Sequence, residues 1–179
     1  MSVRAVSVGV VALLGLLLMG CGSESDLDVA AGQYRLHVEG AVTDTLTGTA
    51  VLRSLRAGRT GVELGNRGGP GLSIELTSSP RPGRHTAASP ARLSLGRYPV
   101  VTETLLDAPS SVSDSVSGVR AFLSLSNTTF VATEGHLSVT HVDDGRLEGT
   151  FDLEMRERNR TVTAPRTVRV TGALRATTP

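Results

Sequence analysis

Two adjoining runs of alternating residues set the strongest limit on how this chain can fold. Leu137 and Val139 alternate with His136, Ser138 and Thr140. Beyond Asp143-Asp144-Gly145, residues Leu147, Gly149, Phe151, Leu153 and Met155 alternate with Arg146, Glu148, Thr150, Asp152 and Glu154. Successive side chains on a strand point to opposite faces. Period two on both sides of a turn sequence therefore predicts a hairpin with one apolar face. Asp-Asp-Gly suits a three-residue loop, a type I turn followed by Gly145 in the left-handed bulge position. Closing that loop on Val142 and Arg146 pairs His141 with Leu147, Val139 with Gly149 and Leu137 with Phe151. The apolar residues then share one face, and His136 meets Asp152 on the other.

The same period recurs through the chain. Tyr34, Leu36 and Val38 form one inward row. Gly48, Ala50 and Leu52 form a second, on a strand through residues 47–54. Val62 and Leu64 follow, then Leu72, Ile74 and Leu76. Short strands are expected near residues 92–95 and 97–103. Val119, Ala121, Leu123 and Leu125 alternate again. The last strand turns Val168, Val170, Leu174 and Ala176 inward and Thr167, Arg169, Thr171 and Arg175 outward, where the arginines can pair with acids on a neighbouring strand. Proline-rich residues 77–91 and serine-rich residues 108–117 read as long loops. Outside the N-terminal segment no apolar stripe of helical period spans three turns. About eight to ten short strands joined by Gly, Pro and Ser turns predict an all-β fold, an antiparallel sandwich first and a small lipocalin-like barrel as the alternative.

The N-terminal segment has a separate logic. Arg4 precedes an almost wholly apolar run from Ala5 to Leu18, followed by Met19, Gly20 and Cys21. The run is shorter than the roughly 20 apolar residues of a membrane span, so it reads as an export signal. Leu18-Met19-Gly20-Cys21 resembles the lipobox of bacterial lipoproteins, with Met19 a less usual occupant of its position. The resemblance implies cleavage before Cys21, which then carries a diacylglyceryl thioether and usually an N-acyl chain. One acyl chain binds a membrane marginally, whereas two or more hold a protein stably. Gly22 stands where an Asp would mark inner-membrane retention in some lipoproteins, which favours an outer membrane. The acidic residues Glu24, Asp26 and Asp28 resemble the surface-export signals of other lipoproteins, and equally suit a solvated linker.

Composition narrows the chemistry. Cys21 is the only cysteine. Once it is acylated, no disulfide, thiolate metal site or cysteine nucleophile is possible. All 18 basic residues are arginine, and without Arg4 they balance the 17 acids. No basic block supports nucleic-acid binding. There is no Trp, and the aromatics are Tyr34, Tyr98, Phe122, Phe130 and Phe151. So small a set is expected to serve the core before it serves sugar or base stacking.

Several residues invite a catalytic or metal reading. His136, Ser138 and Asp152 superficially form a triad, but on one flat strand surface rather than at loop ends. His136 and His141 are an odd number of positions apart and should face opposite sides, against a joint metal site with Asp143. The remaining histidines are His37 and His85. Asp143-Asp144-Gly145 is better explained as turn chemistry than as a calcium loop. The glycine-rich stretch 65–71, with Asn66 and Arg67, lacks the Lys and the helix of a phosphate loop. Asn127-Thr128-Thr129 and Asn159-Arg160-Thr161 are sequons by pattern alone.

The sequence thus divides into a signal at residues 1–20, a lipidated cysteine and tether at 21–31, and one β-rich domain at 32–179. The expected function is a membrane-anchored, non-catalytic structural or interaction module of the cell envelope. Its partners would be the membrane, through acyl chains on Cys21, and an envelope protein, with no cofactor, metal or nucleic acid. The alternative is a carrier of lipid or a small apolar ligand in a barrel interior.

Overall fold

The computed structural model describes residues 29–55, 59–65, 69–77, 93–101, 117–158 and 164–179. Among the described residues there are nine strands and no helix. The strands are β1 (Gln33–Gly40), β2 (Asp44–Ser54), β3 (Arg59–Gly65), β4 (Gly71–Thr77), β5 (Gly96–Pro99), β6 (Gly118–Leu125), β7 (Thr128–Val142), β8 (Arg146–Glu157) and β9 (Thr167–Thr177). They form one sheet in the order β5-β7-β6-β4-β3-β2-β1-β9-β8, and β8 returns to pair with β7. That last pairing closes eight antiparallel strands into a barrel, with β5 as an added ninth strand. The all-β expectation holds, and the barrel is realised rather than the sandwich. Strand alternation is identical in the two architectures. What separates them is that β8 pairs along its whole length with both β7 and β9.

The inward rows are those the alternation marks. Leu36, Val38, Val62, Ile74, Leu76, Val119, Ala121, Leu123, Phe130, Leu137, Leu147, Leu153 and Val170 are completely buried. A barrel of eight strands leaves an interior just wide enough for side chains to fill. Filling it requires large residues beside small ones. A Cβ on Gly172 would lie 2.7 Å from the Phe151 ring, and one on Gly48 3.2 Å from the Tyr34 ring. The two aromatics therefore occupy the space the glycines leave. Tyr34, Tyr98, Phe130 and Phe151 are all buried, and burial pushes the Tyr34 phenol above its ordinary pKa. Phe122 faces outward, with the Arg120 guanidinium 5.4 Å from its ring centroid.

β7 is the longest strand and changes partners along its length. Its first residues pair with β6, from Phe122↔Val131 to Leu125↔Thr128, and its later ones pair with β5, from Gly96↔Val139 to Pro99↔His136. The switch falls at Gly135, which follows a register shift between Ala132 and Glu134. Gly135 has φ +108° and a Cβ there would collide with the Asp152 carbonyl oxygen. Its own carbonyl accepts from the Val100 N–H at 3.0 Å, tying in the end of β5. Glycine is needed here both for the backbone angle and for the close approach.

Some local expectations are corrected. The hairpin loop is residues 143–145 as expected, but Gly145 is not left-handed. Instead the Asp143 N–H donates to the Arg146 carbonyl at 3.0 Å, and Asp143 Oδ1 accepts from the Gly145 N–H at 3.0 Å. Beyond the turn a second register shift leaves Val142 opposite Leu147 and His141 opposite Glu148, and the expected register resumes at Val139↔Gly149. Leu93, Ser94 and Leu95 are not a strand. Packing also begins before residue 32: Val29 is buried, and the Gly32 N–H donates to the Arg175 carbonyl at 2.7 Å. The two long expected loops lie almost wholly outside the described residues.

Replacing Gly135 by Ala should lower the unfolding free energy by about 1–3 kcal/mol, the usual cost of a non-glycine residue held in such a backbone region. Urea denaturation measures it, and an unchanged midpoint would mean that β7 does not depend on this kink.

Candidate functional site

Antiparallel order sends alternate connections to opposite ends of the barrel. One end, the mouth, collects the start of β1, the end of β2 and start of β3, the β7–β8 turn and the end of β9. The other end carries the β1–β2, β3–β4, β6–β7 and β8–β9 connections. There Arg166 latches the rim. Its Nε donates to Glu157 at 2.8 Å, its Nη2 donates to Thr128 at 3.1 Å, and its guanidinium lies 6.0 Å from the Phe130 ring centroid. Hydrogen bonding from Arg166 holds the Glu157 carboxyl below its ordinary pKa.

The mouth contains a cavity of about 350 Å3. Leu52, Leu93 and Val142 form its apolar wall, and Arg53, Asp143 and Asp144 are among its polar lining. Leu93 reaches it from a strap held by Tyr98. The buried Tyr98 hydroxyl accepts from the Ser94 N–H at 2.9 Å and donates to the Ser94 carbonyl at 2.9 Å. The strap was not legible in the sequence, where Leu93 and Leu95 look like strand alternation. Arg53 is engaged by Glu63, whose Oε2 accepts from Arg53 Nε at 2.9 Å. Asp143 is held below its ordinary pKa first by the Gly145 N–H and then by His141, whose Nε2 lies 3.1 Å from Oδ2.

The outward face of β7, β8 and β9 places the other candidates. His136 does stand opposite Asp152, and Ser138 opposite Thr150. Their bonds do not compose a triad, however. Arg97 Nη2 is 2.9 Å from His136 Nδ1. A guanidinium only donates, so Nδ1 is the acceptor. Asp152 is taken by Arg169, whose Nε and Nη2 donate at 2.9 and 2.7 Å. A triad instead needs the acid to orient the imidazole N–H. The bulge at Thr140 puts His141 on the same outer face as His136, contrary to the odd-spacing expectation. Among the described residues no three His, Cys, Asp or Glu side chains come together as metal ligands. His37 contacts Thr45 Oγ1 at 2.9 Å and Glu39 at 3.1 Å. Gly65 and Gly71 are paired at the end of the β3–β4 ladder. Cys21, Asn66, Arg67, His85 and Asn159 lie outside the described residues.

Comparison with protein-family models, with curated proteins and with solved structures finds no match for this chain.

The Arg169 pair gives a pH prediction. Hydrogen bonding to Arg169 lowers the Asp152 pKa, with burial opposing. A carboxyl depressed in the native state adds stability that is present above its unfolded pKa. That stability is lost as pH falls through the native value, here below about pH 4. Carboxyl-detected NMR titration should place the Asp152 midpoint below the ordinary range, and Arg169→Leu should return it upward. Equal midpoints in the two proteins would contradict the pairing in solution.

Proposed function

We propose that this chain is a lipid-anchored protein of a bacterial cell envelope whose barrel serves as a non-catalytic structural or interaction module. The observation that carries the reading is Cys21, the only cysteine, at the end of an apolar export-type segment and eight residues before the buried Val29. The polarity of the barrel supports it. A membrane-spanning barrel turns an apolar band outward and a polar lining inward. Here the arrangement is reversed, with Asp152, Arg169, His37 and Glu39 on the outer wall and aliphatic residues within. A wall of this kind is suited to water, so membrane attachment falls to the acyl chains. With the interior filled, binding falls to the outer surface and the rims.

Cys21→Ser tests the anchor. The wild-type chain should sediment with membranes and the variant should move to the soluble envelope fraction, since each buried CH2 of acyl chain contributes about 0.8 kcal/mol. Unchanged sedimentation would reject acyl attachment at this residue.

The mouth cavity favours a second reading, a carrier of a small amphiphile. Its volume of about 350 Å3 is within the usual range of ligand sites, roughly 300–1,000 Å3. Native mass spectrometry of protein purified from envelopes should then show a bound small molecule that Leu93→Asp abolishes. A wild-type mass equal to the lipidated chain alone would remove this reading.

A further inference from the structure

We propose that the mouth end of the barrel is the face turned to the bilayer, and that Leu95 is its point of contact with the phospholipid surface. The proposal rests on anchoring through Cys21, and it adds an orientation and a contact residue. The chain reaches the barrel at the mouth. Val29 is buried, the Gly32 carbonyl accepts from the Ala50 N–H at 2.8 Å, and the Gly32 N–H is bonded to Arg175. The docked chain therefore begins on the rim between β2 and β9. Eight residues reach at most roughly 26–29 Å when fully extended, and about 14–17 Å on average as a flexible coil. The opposite end is farther by the height of the barrel. β8 has 12 residues, and at about 3.3 Å per residue with a tilt near 40° it sets the two rims about 30 Å apart.

Leu95 supplies the second observation. Among the described residues it is the exposed large hydrophobic, at 64%. It lies on the mouth side, directly before β5, on the strap whose backbone Tyr98 clamps at Ser94. Leu93, two positions earlier, packs against the core. The strap thus turns one leucine into the mouth and holds the next one out, at the same end of the barrel from which the tether leaves. Arginines and carboxylates face each other on this rim: Arg53 with Glu63, and Arg146 and Arg175 with Glu148. With acids and arginines interspersed, the rim presents no basic block that calls for anionic headgroups, so a zwitterionic phospholipid surface suffices.

Site-directed fluorescence tests this in the full, lipidated chain. Cys21 is acylated, so a cysteine placed elsewhere is labelled uniquely. Leu95→Cys reports the mouth and Asn127→Cys, in the β6–β7 turn, reports the far end. Each labelled protein is reconstituted into phosphatidylcholine vesicles carrying nitroxide lipids. The label at position 95 should lose most of its emission to the nitroxides while the label at 127 keeps most of its own. Equal quenching, or stronger quenching at 127, overturns the orientation. Vesicle flotation separates the two claims: protein that floats without the quenching difference refutes the orientation alone, and protein that fails to float refutes the anchor and the orientation together.

Discussion

The closure of β8 against both β7 and β9 is the contact on which the rest of the structure depends. A sheet of eight strands that stays open leaves two edges of unpaired backbone, and such edges recruit other chains. Here the eleven register pairs from Arg146↔Thr177 to Arg156↔Thr167 join one side of β8 to β9, while β7 covers the other. Closure turns a two-faced sheet into an inside and an outside. The inside must then be filled to a fixed volume, because a void forfeits dispersion contacts and an excess forces strain. The Phe151–Gly172 and Tyr34–Gly48 pairs are local solutions to that demand. Gly135 is another kind of solution, since it lets β7 leave β6 and take up β5 without opening the wall.

Much of this was readable in the residues. The rows Leu36-Val38, Leu72-Ile74-Leu76, Val119 to Leu125 and Val168 to Ala176 face inward as their period requires. The His136–Asp152 alignment also follows from the hairpin. Three things were not readable, each for a physical reason. Sandwich and barrel share the same alternation, and only long-range pairing tells them apart. Bulges insert one residue without changing composition, so the parity of His141 could not be counted from the turn. The Leu93–Leu95 strap imitates a strand because its leucines are two apart, and only the Tyr98 hydroxyl on the Ser94 backbone makes it a clamp. The full length of β7 was hidden by a bulge as well, since Phe130 and Ala132 face inward but stand an odd number of positions ahead of Leu137, across the bulge between Ala132 and Glu134.

The polar outer wall and the apolar interior assign different work to different parts of the chain. Ion pairs such as Arg169–Asp152 and Arg166–Glu157, each a two-point contact between a guanidinium and a carboxylate, make the wall compatible with water. The apolar interior supplies the stability. The proposed function draws on the mouth with its cavity and strap, and on Cys21, eight residues before the buried Val29. On this account the barrel is a rigid head whose orientation is set by where its tether leaves.

The central claim is that Cys21 becomes an acylated N-terminus. Mass spectrometry of the N-terminal peptide from protein isolated with its membranes tests this most directly. The account predicts a peptide that begins at Cys21 and carries the added mass of a diacylglyceryl group, with or without a further N-acyl chain. A peptide that retains residues 1–20, or one with an unmodified thiol at Cys21, would contradict it.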